Sequence, residues 1–87
     1  MRNSIHIYDN AVDVIVGREI AASVARSGIS LPDLATRLGR HPQWLRRRVS
    51  GTASITVADV VEIANDLGVT PYTLLEPVLG LDSVAAS

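Results

Sequence analysis

Arg37, Arg40, Arg46, Arg47 and Arg48 fall between Leu34 and Ala58, a window that also holds His41 and contains no Asp or Glu. A guanidinium is permanently charged, and its planar fork of N–H donors matches a phosphate or the edge of a guanine. The chain as a whole has eight basic residues, all Arg, and nine acids, for a net charge of −1. Neutral on average and polarised locally, it is expected to turn one positive face toward an anionic partner. The acids on either side of the window are expected to confine contact to that face.

The elements that carry these arginines are legible from caps and apolar spacing. Ser30-Leu-Pro-Asp33 has the form of a capping box, and Pro32 suits a first helical turn. Leu31, Leu34, Ala35 and Leu38 make the apolar face of the helix that follows, and Gly39 supplies the turn. A second helix starts at His41-Pro42 and runs to Val49, closed by Ser50-Gly51. Only Leu45 and Val49, four apart, form its core stripe, so most of its surface is free for another task.

Around this pair the chain predicts three more helices. Asn10-Ala-Val-Asp13 reads as a capping box, followed by Val12, Ile15 or Val16, Ile20 and Val24 at helical spacing, with Gly28 as the stop. Thr56-Val-Ala-Asp59 is a third capping box. The wide apolar face from Val57 to Leu67 predicts a helix central to the bundle. Thr70-Pro71 starts a brief fifth helix that Pro77 ends. Val78 to Leu81 is apolar, either a lid on the core or part of a dimer seam, and the last six residues are expected to fray. Ser4 to Tyr8 alternates polar and apolar residues and is either a short strand or an arm. The domain plan is an N-terminal arm or strand over 1–9, a helical domain over 10–76 and a tail over 77–87 that is a candidate dimer contact.

A helix–turn–helix needs a bracing helix, a tight turn and a second helix laid across the major groove. Leu31 to Gly39 fits the brace, with Ala35 small at the crossing, and Pro42 to Val49 fits the recognition helix. The run Leu31-Pro-Asp-Leu-Ala-Thr-Arg-Leu-Gly39, then Gln43-Trp-Leu-Arg-Arg-Arg-Val-Ser-Gly51, then Val60 to Leu75 resembles the Cro/C1-type, XRE-like helix–turn–helix family. It is nearest in style to small actinobacterial and actinophage regulators. The resemblance covers about residues 13 to 76. It implies an all-α fold, a compact five-helix lambda-repressor-like domain, that binds operator DNA as a two-fold dimer.

The resemblance also implies roles. Gln43 and Trp44 lie at the end of the recognition helix that enters the groove and are expected to contact bases, Trp44 by packing on a thymine methyl or on sugar–phosphate backbone. Arg47, one turn on, matches a frequent base-reading position. A bidentate contact from Arg to guanine or Gln to adenine discriminates by about 1–3 kcal/mol. Arg46 is expected to read a base or hold a phosphate, and Arg37, Arg40, His41 and Arg48 to meet phosphates. The chain departs from the family pattern at Arg40 and Arg48, where apolar residues are usual. Arg40 is expected to lay its stem on the core with its head outward, and Val49 to replace the contact missing at Arg48. Trp44 has a second reading as a core anchor, and the Arg46–Arg48 run a second reading as a solvated helix face.

Other chemistry finds little support. There is no Cys, no Ser–His–Asp set, no clustered carboxylates and no phosphate-cradling glycine loop, so neither an enzyme nor a cofactor or metal is expected. His41 and His6 have no second ligand at suitable spacing. No apolar run is long enough for a membrane span or has the form of a signal peptide, which points to the cytoplasm. No small-molecule ligand is evident. The expected partner is double-stranded operator DNA, bound by a homodimer of a phage- or prophage-type regulator. The alternative is a protein-interaction module of the same fold: an antitoxin, an anti-repressor or a recombination accessory factor.

Overall fold

The computed structural model describes the backbone from Arg2 to Ala86 and the side chains of residues 11–80. Five helices follow one another: α1 (Arg2–Ser27), α2 (Leu31–Arg37), α3 (Pro42–Val49), α4 (Val57–Leu67) and α5 (Pro71–Ala86). No strand occurs among the described residues.

Helix α1 is the spine. At about 1.5 Å per residue, 26 residues of helix span close to the 38 Å long axis of the molecule. It packs against each of the other helices, and most extensively against α5. Val16, Ile20 and Val24, each one turn apart, bury its inner face. Leu34 and Ala35 of α2, Leu45 of α3, Val60, Ile63 and Ala64 of α4, and Leu74 of α5 complete the core.

Four expectations are corrected here. The alternating segment Ser4 to Tyr8 is helical, so residues 2–9 are neither a strand nor a separate arm. A lone five-residue strand has no partner for its backbone groups, whereas a helix pairs them internally. For the same reason Asn10 lies inside α1 and begins nothing. Asp13 instead accepts a hydrogen bond from the Ile55 backbone N–H at 3.1 Å, tying the α3–α4 loop to α1. Removing that acceptor in Asp13→Ala leaves a half-buried N–H unpaired and should cost about 1–3 kcal/mol. Asp13→Asn keeps a carbonyl acceptor and should retain most of the stability. Equal midpoints in urea for wild type and Asp13→Ala would contradict the assignment.

The third correction concerns α4. It is not the central helix: Val57 is 76% exposed and Val61 39% exposed, while α1 touches every other element. The fourth concerns Pro77, which does not end α5. Its missing N–H breaks one helical bond, at about 3 kcal/mol. Leu74 is fully buried before it, and Leu75 and Val78 pack on the core on either side, so burial outweighs the break. Val78 thus covers the protein's own core, and helix continues to Ala86 in the segment expected to fray.

Helices α2 and α3 form where their caps predict. Ser30 Oγ accepts from the Asp33 N–H at 3.1 Å, and the Asp33 carboxylate accepts from the Ser30 N–H at 3.4 Å. Thr56 and Asp59 make the equivalent box for α4, both bonds at 3.0 Å. The turn between α2 and α3 passes through Gly39 at φ 70, a left-handed conformation that L side chains rarely adopt. The Arg40 N–H then donates to the Ala35 carbonyl at 2.8 Å, which closes the turn.

Candidate nucleic-acid interface

The start of α3 is set by an unusual cap. His41 Nδ1 accepts from the Gln43 N–H at 3.0 Å, in the place where Ser, Thr or Asp is common. The proton of the neutral ring then sits on Nε2 and can donate outward. His41 therefore serves first as a helix cap, with one N–H left for an external acceptor. At the other end the Arg47 carbonyl accepts from Thr52 N at 2.9 Å, Ala53 N at 3.2 Å, and the hydroxyls of Thr52 and Ser50 at 3.1 Å. The loop after α3 folds back onto this one carbonyl. The backbone of Arg47 is thus pinned while its side chain stays exposed.

Helical periodicity divides α3 into three faces. Leu45 is fully buried and Val49 half-buried toward the core. Trp44 and Arg48, four apart, turn toward α4. Gln43, Arg46 and Arg47 share the remaining face and are exposed. On that face Arg46 Nη1 donates to Gln43 Oε1 at 3.0 Å. Among the described residues neither Arg46 nor Arg47 has an acidic partner. Three arginines in the last turn also complement the negative end of the helix dipole.

The other three arginines of the window are held by acids of α4. Asp59, Glu62 and Asp66 recur at three- and four-residue intervals, which puts them on one side of that helix. Arg48 Nε lies 3.4 Å from Asp59 Oδ2, Arg40 Nη2 3.4 Å from Glu62 Oε1, and Arg37 Nε 3.1 Å from Asp66 Oδ2. The pairs differ in strength. The Arg48 and Asp59 side chains are only 21% and 11% exposed, and Arg48 Nη1 also donates to the Trp44 carbonyl at 3.1 Å. The Arg40–Glu62 pair is open to solvent, at 41% and 44%. Arg37 sits close to Asp66, yet Asp66 Oδ2 is buried and makes no well-directed hydrogen bond. That contact is charge attraction with poor geometry.

Trp44 lies between two of these cations. The Arg48 guanidinium is 4.1 Å from the ring centroid and that of Arg40 is 4.4 Å from it, both within cation–π range. The indole also packs partly against the core. The core-anchor reading of Trp44 is therefore the one its surroundings support, in place of base contact. The Arg40 head stacks on Trp44, which itself packs partly on the core. Arg48 sits in an arginine–indole–carboxylate assembly, so it is poorly placed to meet a phosphate.

The sequence reading placed the acids outside the window and missed their pairing with the arginines inside it. The signal was present in the one-sided spacing of Asp59, Glu62 and Asp66. Gln43 and Arg47 do share an exposed face, as their spacing predicts, with Arg46 beside them.

Compared with protein-family models, curated proteins and solved structures, the chain matches none of them. No helix among the described residues is long and apolar enough to cross a membrane, and no group of His, Asp and Glu is placed to hold a metal ion.

Proposed function

We propose that this domain is a sequence-specific double-stranded DNA-binding regulator of transcription. Helices α2 and α3 act as a helix–turn–helix in a lambda-repressor-like fold of the Cro/C1 kind. The observation that carries the reading is the outer face of α3: Gln43, Arg46 and Arg47 are exposed together and free of acidic partners among the described residues. Both residue types have bidentate matches on base edges, Arg on guanine and Gln on adenine. Arg47 is the principal base reader, Gln43 and Arg46 read or orient beside it, and His41 Nε2 donates to a phosphate at the helix start. Arg37 and Arg40 are half free and reach phosphates only by leaving their carboxylates. Arg48 and Trp44 hold α3 in place.

A helix of eight residues covers few base pairs. A homodimer on an inverted repeat, with half-sites roughly 34 Å apart, supplies the length of site that a cytoplasmic operator needs. Regulation then follows from occupancy, by blocking or helping polymerase at a phage or host promoter.

Binding-site selection from random DNA tests symmetry and spacing together. The expected product is a two-fold sequence with half-sites about one helical turn apart. Affinity for it should fall steeply with salt, by a slope of about 0.9 per phosphate neutralised. An unenriched pool, or binding that ignores salt, would contradict the proposal. A protein-interaction module of the same fold is the second reading. It draws support from the net charge of −1 and from three arginines already paired. Absence of any gel shift at low salt would favour it.

A further inference from the structure

The acidic side of α4 has no part in the base-reading face, yet it holds two solvent-accessible arginines beside it. We infer that Glu62 and Asp66 restrain Arg40 and Arg37 so that the domain binds DNA through its readers and only weakly through general charge. This rests on the DNA-binding reading. It assigns to two acids of α4 a function in specificity that acts through their partners.

Affinity for arbitrary DNA comes almost entirely from cations that neutralise phosphates and release counterions. An arginine already facing a carboxylate must leave it before it can contribute. Arg40 is 3.4 Å from Glu62, and Arg37 is 3.1 Å from Asp66. The arrangement directs both heads toward α4, and Arg40 is further fixed by the Trp44 ring at 4.4 Å. The pairs are exposed enough to exchange, since the Arg side chains are 41% and 51% accessible. Arg48 differs: its pair with Asp59 is largely buried and belongs to the packing of α3.

The restraint acts unequally on the two kinds of DNA. A complex with arbitrary sequence has no fixed register, so a freed guanidinium finds a phosphate in some of many placements. A complex held by Arg47 and Gln43 has one register, and the freed head gains only if a phosphate lies there. Releasing the arginines therefore raises affinity for arbitrary DNA more than for the selected site.

The test uses Glu62→Gln, Asp66→Asn and a control, Glu76→Gln, which removes an exposed α5 acid with no basic partner among the described residues. Binding is followed by fluorescence anisotropy on a labelled mixed-sequence duplex of roughly 20 bp, long enough for two half-sites, at two salt concentrations. Glu62→Gln should tighten binding about twofold to fivefold, the range that an exposed ion pair's strength allows. Its salt slope should steepen by about 0.9. Asp66→Asn should act in the same direction. Adding Arg40→Gln to Glu62→Gln should abolish the gain; because that double change returns the net charge to −1, it is the absence of a comparable gain in Glu76→Gln that separates release of Arg40 from overall charge. On a duplex obtained by selection the gain should be smaller. Wild-type binding with no change in Glu62→Gln, or an equal gain in Glu76→Gln, would overturn this inference and leave the DNA-binding reading standing. Failure of wild type to bind either duplex at low salt would overturn that reading itself.

Discussion

Gly17→Ala should lower the stability of the domain by about 1–3 kcal/mol, although the same change in most helices is stabilising. Alanine is favoured over glycine in a helix interior by up to about 1 kcal/mol. At Gly17 that preference meets the C-terminal end of α3. A methyl there would lie 2.9 Å from the Arg48 carbonyl oxygen and closer still to that of Val49. Both obstacles are backbone, so no side-chain rotation relieves them. Either α1 and α3 separate or the last turn of α3 distorts, and overpacking of this kind costs about 1–3 kcal/mol. For a domain of this size each kcal/mol moves the melting midpoint by roughly 4–8 °C. Thermal melts followed by circular dichroism measure it directly. A midpoint equal to or above that of wild type would show that α1 and α3 are not in contact at this point. The close approach bears on the proposed function, because the turn of α3 that rests on Gly17 also carries Arg46, Arg47 and Arg48.

Arg47→Ala and Arg48→Ala should separate reading from holding, although the two residues are adjacent. Arg47 is exposed and unpaired among the described residues. Its loss should leave the melting midpoint within the range of an ordinary surface substitution, about ±0.5 kcal/mol. Affinity for the selected operator should fall by about 1–3 kcal/mol, roughly fivefold to a hundred-and-fiftyfold, with preference relaxed at one base position. Arg48→Ala removes the face of the Trp44 stack at 4.1 Å and leaves Asp59, 8% exposed, without its cation. It should destabilise the fold, and its DNA affinity per folded molecule should change much less than that of Arg47→Ala. Melting curves and anisotropy titrations on the same samples make the comparison. Similar losses of operator affinity and unchanged stability in both variants would defeat the division of α3 into reading and holding faces.

The arginine window divides in space much as it divides in sequence, but two of its assignments change meaning. Arg46 and Arg47 stand apart from Arg37, Arg40 and Arg48 in both. The second group was expected to grip phosphates. It instead meets carboxylates on α4, with Arg48 fully committed and Arg37 and Arg40 held loosely. Trp44, expected to face DNA, instead packs partly on the core with the Arg40 and Arg48 guanidiniums over its ring.

What could be read from the sequence is what neighbours within about one helical turn decide. The capping boxes of α2 and α4, the left-handed turn at Gly39, the bounds of α3 and its division into faces all depend on residues no more than four apart. The capping box at Asn10 failed because the residues before it are helical too and pair their backbone groups internally, so no helix end is left there to cap. The stop at Pro77 failed because packing outweighed a local signal: Leu74 and Val78 hold α5 together across its proline. Tertiary structure alone decided the contacts between distant residues. Asp13 reaches Ile55 across 42 positions, Gly17 meets Val49, and three acids of α4 find three arginines of the earlier window. Composition records that those charges exist. Only the placing of α4 beside α3 determines which arginines stay free, because an ion pair depends on a few ångströms that no local pattern specifies.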